Sequence, residues 1–203
     1  MNDEISGLPT RRAALRLLDA VMRMGTPMDQ ATANATKGLS PPDRALAIAI
    51  AQETLRWSVD LDMLIDSKTK QPLPDDAKAR AVLRLALAQI LRLGTPPHAA
   101  IATALPLVDG GPRRLVHGVL GSLLRAEVKL PELPSLPEAV MMRWHPAWGD
   151  DMIAGAQAAL AEPPPLDLAL RNPDSTGEWT ERLGGVSLMP GHIRLPRGTA
   201  VEE

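Results

Sequence analysis

Cysteine, phenylalanine and tyrosine are all absent from this 203-residue chain. The missing cysteine excludes disulfides, thiolate metal sites, iron–sulfur clusters and a cysteine nucleophile. With four Trp as the only aromatic residues, Leu, Ala and Met must fill the core, a composition that suits helices better than sheets. No apolar run approaches the roughly 18 residues of a membrane span. The start, Met1-Asn2-Asp3-Glu4, is acidic where a signal peptide is basic, so a cytoplasmic protein is expected. Gly-x-Ser-x-Gly, the Walker loop and zinc-ligand patterns are missing. Four His at 98, 117, 145 and 192 have no metal-binding spacing, so neither a catalytic nor a metal site is assigned.

What is present divides unevenly. Residues 1–129 hold 17 Lys and Arg against 13 Asp and Glu, a net +4, while residues 130–203 hold 5 against 11, a net −6. Ten of the 20 prolines fall in the last 74 residues. Hydrophobic residues at 45% and charged ones at 23% are enough for a folded core. Two unequal parts are implied, the first mildly basic.

The first part reads as successive helices. Thr10 is a candidate N-cap for residues 11–24, with Leu15, Leu18 and Met22 on an apolar stripe and Arg12, Arg16, Asp19 and Arg23 on a polar one. A short helix over about 27–37 ends at Gly38. Ser40 then caps a longer one with Pro41 at its first position. There Leu46, Ile48 and Ile50 alternate as in a strand, but the interleaved alanines and the cap favour a buried helix. Further helices are expected near 60–65, 77–93, 98–108 and 112–128, with Gly110-Gly111 as a stop between the last two. Connections this short predict an all-α bundle. Residues 130–137 repeat Leu-Pro and read as an extended connector. Helical pieces follow near 138–144 and 148–161, then short strands at 166–170, 186–188 and 192–195. A piece of about 40 residues is too small for its own core, so a missing C-terminal continuation is expected.

Several ordered motifs carry a family resemblance: Arg11-Arg12-Ala13-Ala14-Leu15, Leu39-Ser40-Pro41-Pro42-Asp43-Arg44-Ala45, Thr54-Leu55-Arg56-Trp57, Thr95-Pro96-Pro97-His98-Ala99-Ala100-Ile101 and Leu115-Val116-His117-Gly118-Val119-Leu120. Together they resemble the NusB-like RNA-binding helical domain. With Arg143-Trp144, Trp148-Gly149 and Glu162-Pro163-Pro164-Pro165-Leu166-Asp167-Leu168, the chain is similar to the bacterial ribosomal RNA small-subunit cytosine-C5 methyltransferases B, the Sun family. The resemblance implies an all-α NusB-like bundle over 1–129, a Pro-rich connector with linker helices over 130–162, and the start of a small, incomplete α+β (RRM-like) substrate subdomain over 163–203. It also implies S-adenosylmethionine as cofactor and a cysteine attacking C6 of cytosine. This chain has no cysteine and no strand–Gly-x-Gly–helix segment, so both are expected in a methyltransferase domain absent from it. The chain itself is expected to be catalytically silent, with no cofactor of its own and ribosomal RNA as partner.

Arg11, Arg12 and Arg16 are candidates for RNA phosphate contact, since guanidinium forks match phosphate geometry. The bland reading is a solvated helix face diluted by Asp19. Lys78, Arg80, Arg84 and Arg92 form a further basic series of a kind amphipathic helices often carry. Arg114, Gly118, Gly121 and Arg125 share one face of the last bundle helix. Two glycines inside a helix suggest a close approach there, by helix packing within the bundle or against the missing domain, ahead of RNA. His98 and His117 read as caps or interior hydrogen-bonders, and Trp144 and Trp148 as a hydrophobic anchor. The rival function is an antitermination-type factor binding RNA and a protein partner; a complete enzyme of another kind lacks any catalytic constellation.

Overall fold

A computed structural model describes residues 5–196 and 199. The acidic stretches at 1–4 and 202–203 lie outside the described residues. The chain divides into two compact units between Met141 and Met142.

The first unit is helical: α1 (Leu8–Met22), α2 (Met28–Ala35), α3 (Pro41–Arg56), α4 (Ser58–Asp66), α5 (Lys78–Leu91), α6 (Pro97–Ala104), a 3-10 turn at Leu105–Leu107, and α7 (Gly110–Arg125). Helix α5 is central, with ten of its 14 residues buried. Val82, Leu83, Ala86 and Leu87 pack with Trp57, Leu61, Ile65, Val116, Leu120 and Leu123. Leu85 packs into a second cluster with Ala13, Ala14, Leu17 and Leu18 of α1 and Ala47, Ile50 and Ala51 of α3. The alternating Leu46-Ile48-Ile50 segment is helical, as its alanines and cap imply. Ser40 Oγ accepts from the Asp43 amide at 3.3 Å and donates to the Asp43 carboxylate at 2.6 Å, a reciprocal cap.

Three local expectations are corrected. Thr10 is not the N-cap: α1 starts at Leu8 behind Gly7 in a left-handed conformation, and the buried Thr10 hydroxyl donates to Asp43 Oδ1 at 2.9 Å. The buried stripe of α1 is Ala13, Ala14, Leu17 and Leu18, leaving Leu15 half-buried and Met22 exposed, because α1 meets both α3 and α5. Gly110-Gly111 opens α7 rather than stopping a helix; the 3-10 turn before it supplies the break.

The Leu-Pro segment packs on the bundle. Leu136 is buried, and Ser135 donates to the buried Asp60 carboxylate through its amide at 2.9 Å and its hydroxyl at 2.7 Å. Helix α8 (Glu138–Ala161) begins in the first unit and continues into the second, breaking at Gly149, whose φ is 73°.

Past α8, the second unit holds β1 (Leu166–Ala169), a 3-10 turn at Pro173–Ser175, α9 (Thr176–Leu183) and β2 (His192–Leu195). β1 and β2 pair antiparallel from Leu166↔Leu195 to Ala169↔His192. Helix α9 is not among the helices expected from the sequence: its eight residues include only two large apolar side chains, Trp179 and Leu183. The strand expected at 186–188 reduces to one bridge, Val186 to Arg194. Gly184 ends α9 with φ 63°. At Gly185 a Cβ would lie 2.7 Å from the Arg194 carbonyl, so that crossing requires glycine. Asp167 accepts two hydrogen bonds from Arg194 across the strands, at 2.7 and 2.8 Å.

This packing makes two expectations measurable. A Cβ at Gly118 on α7 would meet nothing within 4 Å, so Gly118→Ala is expected to stabilise the protein by about 0.5–1 kcal/mol, read from urea unfolding. The hydrogen bond from Arg194 brings the Asp167 carboxyl down to about 2. Its contribution to the β1–β2 pairing is therefore fully present above the ordinary carboxylate range and lost as pH falls toward 2. An NMR titration of the Asp167 carboxyl carbon checks this, with an ordinary midpoint as the contrary result.

Candidate functional site

The arginines of the bundle divide by the direction in which they point. Arg11, a candidate for phosphate contact in the sequence, turns inward. It is 9% exposed, its Nε donates to Gln89 Oε1 at 2.8 Å, and Nη1 reaches the Gly7 carbonyl at 3.4 Å. Burial pushes its guanidinium below the usual value, opposed by the charge of Asp43. Hydrogen bonds from Ser40 and Thr10, with Arg11 nearby, hold Asp43 below the usual carboxylate range.

Arg80 and Arg84 are corrected in the same way. Arg80 is 2% exposed and contacts Asp62 at 2.9 Å, Asp66 at 2.7 Å and the Leu73 carbonyl. Burial works against its charge, but hydrogen bonds to Asp62 and Asp66 outweigh it and raise its pKa. Arg84 grips Asp62 bidentately, at 2.7 and 2.6 Å, and Nη1 approaches Met22 Sδ at 3.6 Å. These three side chains hold the bundle together through buried or half-buried partners. Arg92 belongs with them: its Nε donates to the buried Glu53 at 3.0 Å and its guanidinium lies 4.6 Å from the Trp57 ring centroid.

Arg12 and Arg16 are exposed on α1 and straddle two hollows. On one side is a groove of about 550 Å³ floored by Leu15, Met22 and Leu107. Its rim is mixed: Arg12, Arg16, Arg23 and Lys78 share it with Asp19, Asp75, Asp76 and Asp109. Arg23 is already paired with Asp19 at 2.9 Å. On the other side is a smaller pocket of about 200 Å³, lined by Arg12, Arg16 and Lys37 over Pro9, Ala13, Ala35, Gly38 and Leu39. Among the described residues, no carboxylate lines it. Arg16 Nη1 lies 3.5 Å from the Ala35 carbonyl at the end of α2, where the helix dipole favours a cation. Arg44 on α3 is also exposed and donates to Thr36 Oγ1 at 3.1 Å, beside Lys37.

No sequence motif singles out Lys37. It sits 21 residues beyond Arg16, and only the folding of α2 back along α1 brings the two to one pocket. Arg114 is exposed on α7, outside both hollows. His98 and His117 are exposed rather than interior. Trp144 and Trp148 meet edge to face at 6.0 Å with Trp148 60% exposed, so Trp148 is not the buried anchor expected. Among the described residues no three metal-ligating side chains converge, and no helix is long and apolar enough to cross a membrane.

The inward and outward arginines should separate in unfolding experiments. Arg84→Met leaves Asp62 without its bidentate partner and is expected to cost about 2–3 kcal/mol, less than a fully buried pair because Asp62 retains some solvent. Arg16→Ala is expected to stay within about 0.5 kcal/mol of wild type. Equal losses in urea titrations would contradict this division.

Comparison with known proteins agrees with the helical arrangement. Over 122 residues the chain is 33% identical to Ribosomal RNA small subunit methyltransferase B of Xanthomonas campestris pv. campestris, covering 59% of this chain and 28% of that protein. To the Pseudomonas putida protein of the same name it is 30% identical over 142 residues, covering 68% and 33%. The chain thus spans a third or less of the length of these relatives. Two solved structures share the fold. A chain in the crystal structure of a plectonemic RNA supercoil has a TM-score of 0.54 at 19% identity, covering 59% of this chain and 94% of that one. A chain in the crystal structure of antitermination factors NusB and NusE with dsRNA has 0.52 at 18%, covering 59% and 96%. The NusB family model matches residues 8–125, from the first residue of α1 to the last of α7, and on that match the chain belongs to the NusB family.

Proposed function

We propose that this chain binds ribosomal RNA through the α1 face and presents it to an S-adenosylmethionine-dependent cytosine-C5 methyltransferase activity. The observation that carries this is the pocket lined by Arg12, Arg16 and Lys37, whose described lining residues include no carboxylate. Three cations lining one pocket favour a polyanion, and arginine forks suit phosphate oxygens. Family membership supports the reading, as do the two methyltransferase B relatives. The match to one of them runs to 142 residues, farther than the bundle helices alone account for.

The chemistry of methyl transfer belongs elsewhere. The chain has no cysteine to attack C6. Its residues do not fit S-adenosylmethionine either: Gly110-Gly111 opens α7 after a 3-10 turn, and Gly184-Gly185 follows α9, so neither glycine pair leaves a strand. No step of the reaction is assigned to these residues. Their role is to hold the RNA backbone in register, which phosphate contacts do without reading sequence. With no Phe or Tyr, and with Trp57 buried, the bundle offers no platform for stacking several bases. An antitermination-type role would use the same α1 face, and the methyltransferase reading is preferred on the identity to those relatives.

The test is a salt titration of RNA-hairpin binding by wild type and an Arg12→Ala/Arg16→Ala variant. Each lost phosphate contact lowers the slope of log K against log salt by roughly 0.7–0.9, so a flattening of about 1.5 is expected. Neither side chain is buried in the core, so circular dichroism should be unchanged. A folded double variant with the wild-type slope would remove the RNA site from α1. A ribosomal RNA fragment should compete better than an unrelated hairpin; equal competition would refute the ribosomal assignment.

A further inference from the structure

Helix α7 carries four ionisable side chains, Arg113, Arg114, His117 and Arg125, and none is acidic. All four are exposed. Their surroundings differ from those of the other bundle arginines. Arg11, Arg23, Arg56, Arg80, Arg84 and Arg92 each rest on a carboxylate or a side-chain amide. Among the described residues, no hydrogen bond or ion pair engages the side chains of Arg113, Arg114 or Arg125. The nearest acids along the chain, Asp109 and Glu127, lie beyond the two ends of the helix.

Arg114 and Arg125 bracket Gly118 and Gly121 at i, i+4, i+7 and i+11, one face of the helix about 16 Å long at 1.5 Å per residue. Packing inside the bundle does not account for Gly118, since a Cβ there would meet nothing within 4 Å. At Gly121 the nearest atom is Nη1 of Arg125 itself, 3.4 Å away. The face is therefore open at Gly118, with the exposed Arg114 one turn before it and the Arg125 guanidinium folded back over Gly121. An apolar partner helix would bury these cations without counter-charges, at a large desolvation cost. A phosphodiester backbone supplies anions to both arginines and can approach closely over Gly118.

From this we infer that α7 is a second RNA-backbone contact surface of the first unit, separate from the α1 pocket and engaging phosphates through Arg114 and Arg125. The inference rests on the RNA reading of α1 and extends it to a second face. It makes Gly118 part of binding and not of bundle packing.

The experiment is a salt titration of RNA-hairpin binding by the full chain, comparing wild type with Arg114→Ala/Arg125→Ala and with Gly118→Leu. Removing the two arginines is expected to flatten the salt slope by about 1.5 with the urea midpoint unchanged. Gly118→Leu adds bulk without changing charge, so binding should weaken severalfold at the wild-type slope. If both variants bind as wild type does while Arg12→Ala/Arg16→Ala flattens the slope, α7 is not an RNA surface, its face is left for an acidic protein partner, and the α1 reading stands. If wild type binds no RNA hairpin at all, the α1 reading and this inference both fall.

Discussion

A helix can be buried on all sides only if each polar group it carries finds a partner inside the protein, and α5 imposes that condition at Arg80, Arg84 and Gln89. Much of the bundle is disposed to meet it. Helix α4 supplies Asp62 and Asp66 to the two arginines, and the turn before α5 offers the Leu73 carbonyl. Arg11 on α1 supplies the donor that Gln89 accepts, while the Gln89 amide donates to the Leu85 carbonyl within its own helix. These contacts fix the position of α4 and α1 about the central helix, where apolar packing alone would tolerate sliding.

The scarcity of aromatic residues shapes the remaining contacts. Ala13 and Ala14 of α1 pack in one cluster with Ala47 and Ala51 of α3, so the helices come close with little side-chain volume between them. The one large ring in the bundle core, Trp57, lies where α3 gives way to α4, under Arg92. The Glu53 carboxylate joins Arg92 to Arg56, tying the end of α3 to the end of α5. Ser135 on Asp60 then fastens the Leu-Pro segment to α4. That is why the compact unit extends to Met141 instead of ending with α7.

The inward arginines are committed to structural pairing, and a smaller set of cations lies at the surface. Arg12 and Arg16 lie on the side of α1 away from its alanine seam, and the turn after α2 brings Lys37 beside them. The exposed face of α1 depends on a buried one. Arg11 anchors the helix on which its neighbour Arg12 is displayed, and the two residues differ in role because they lie about 100° apart around the helix.

The helical class of the first unit, the Ser40 cap, the polar stripe of Arg12, Arg16, Asp19 and Arg23, and the strands at Leu166 and His192 were all legible in the order of residues. They follow from local rules: the period of apolar residues, the chemistry of caps, and breaks at proline and glycine. Which arginines turn inward is a matter of long-range contact. Arg11 and Arg12 are identical residues in adjacent positions, and their difference lies in Gln89, 78 residues away from Arg11. Arg80 and Arg84 read as a solvated basic face because their counter-charges, Asp62 and Asp66, belong to another helix. Lys37 enters the α1 pocket, and the Gly118 face of α7 stays open, for the same reason. Charge and periodicity are properties of a segment, whereas burial and pairing are properties of two segments brought together. No local pattern records which partner a side chain will meet.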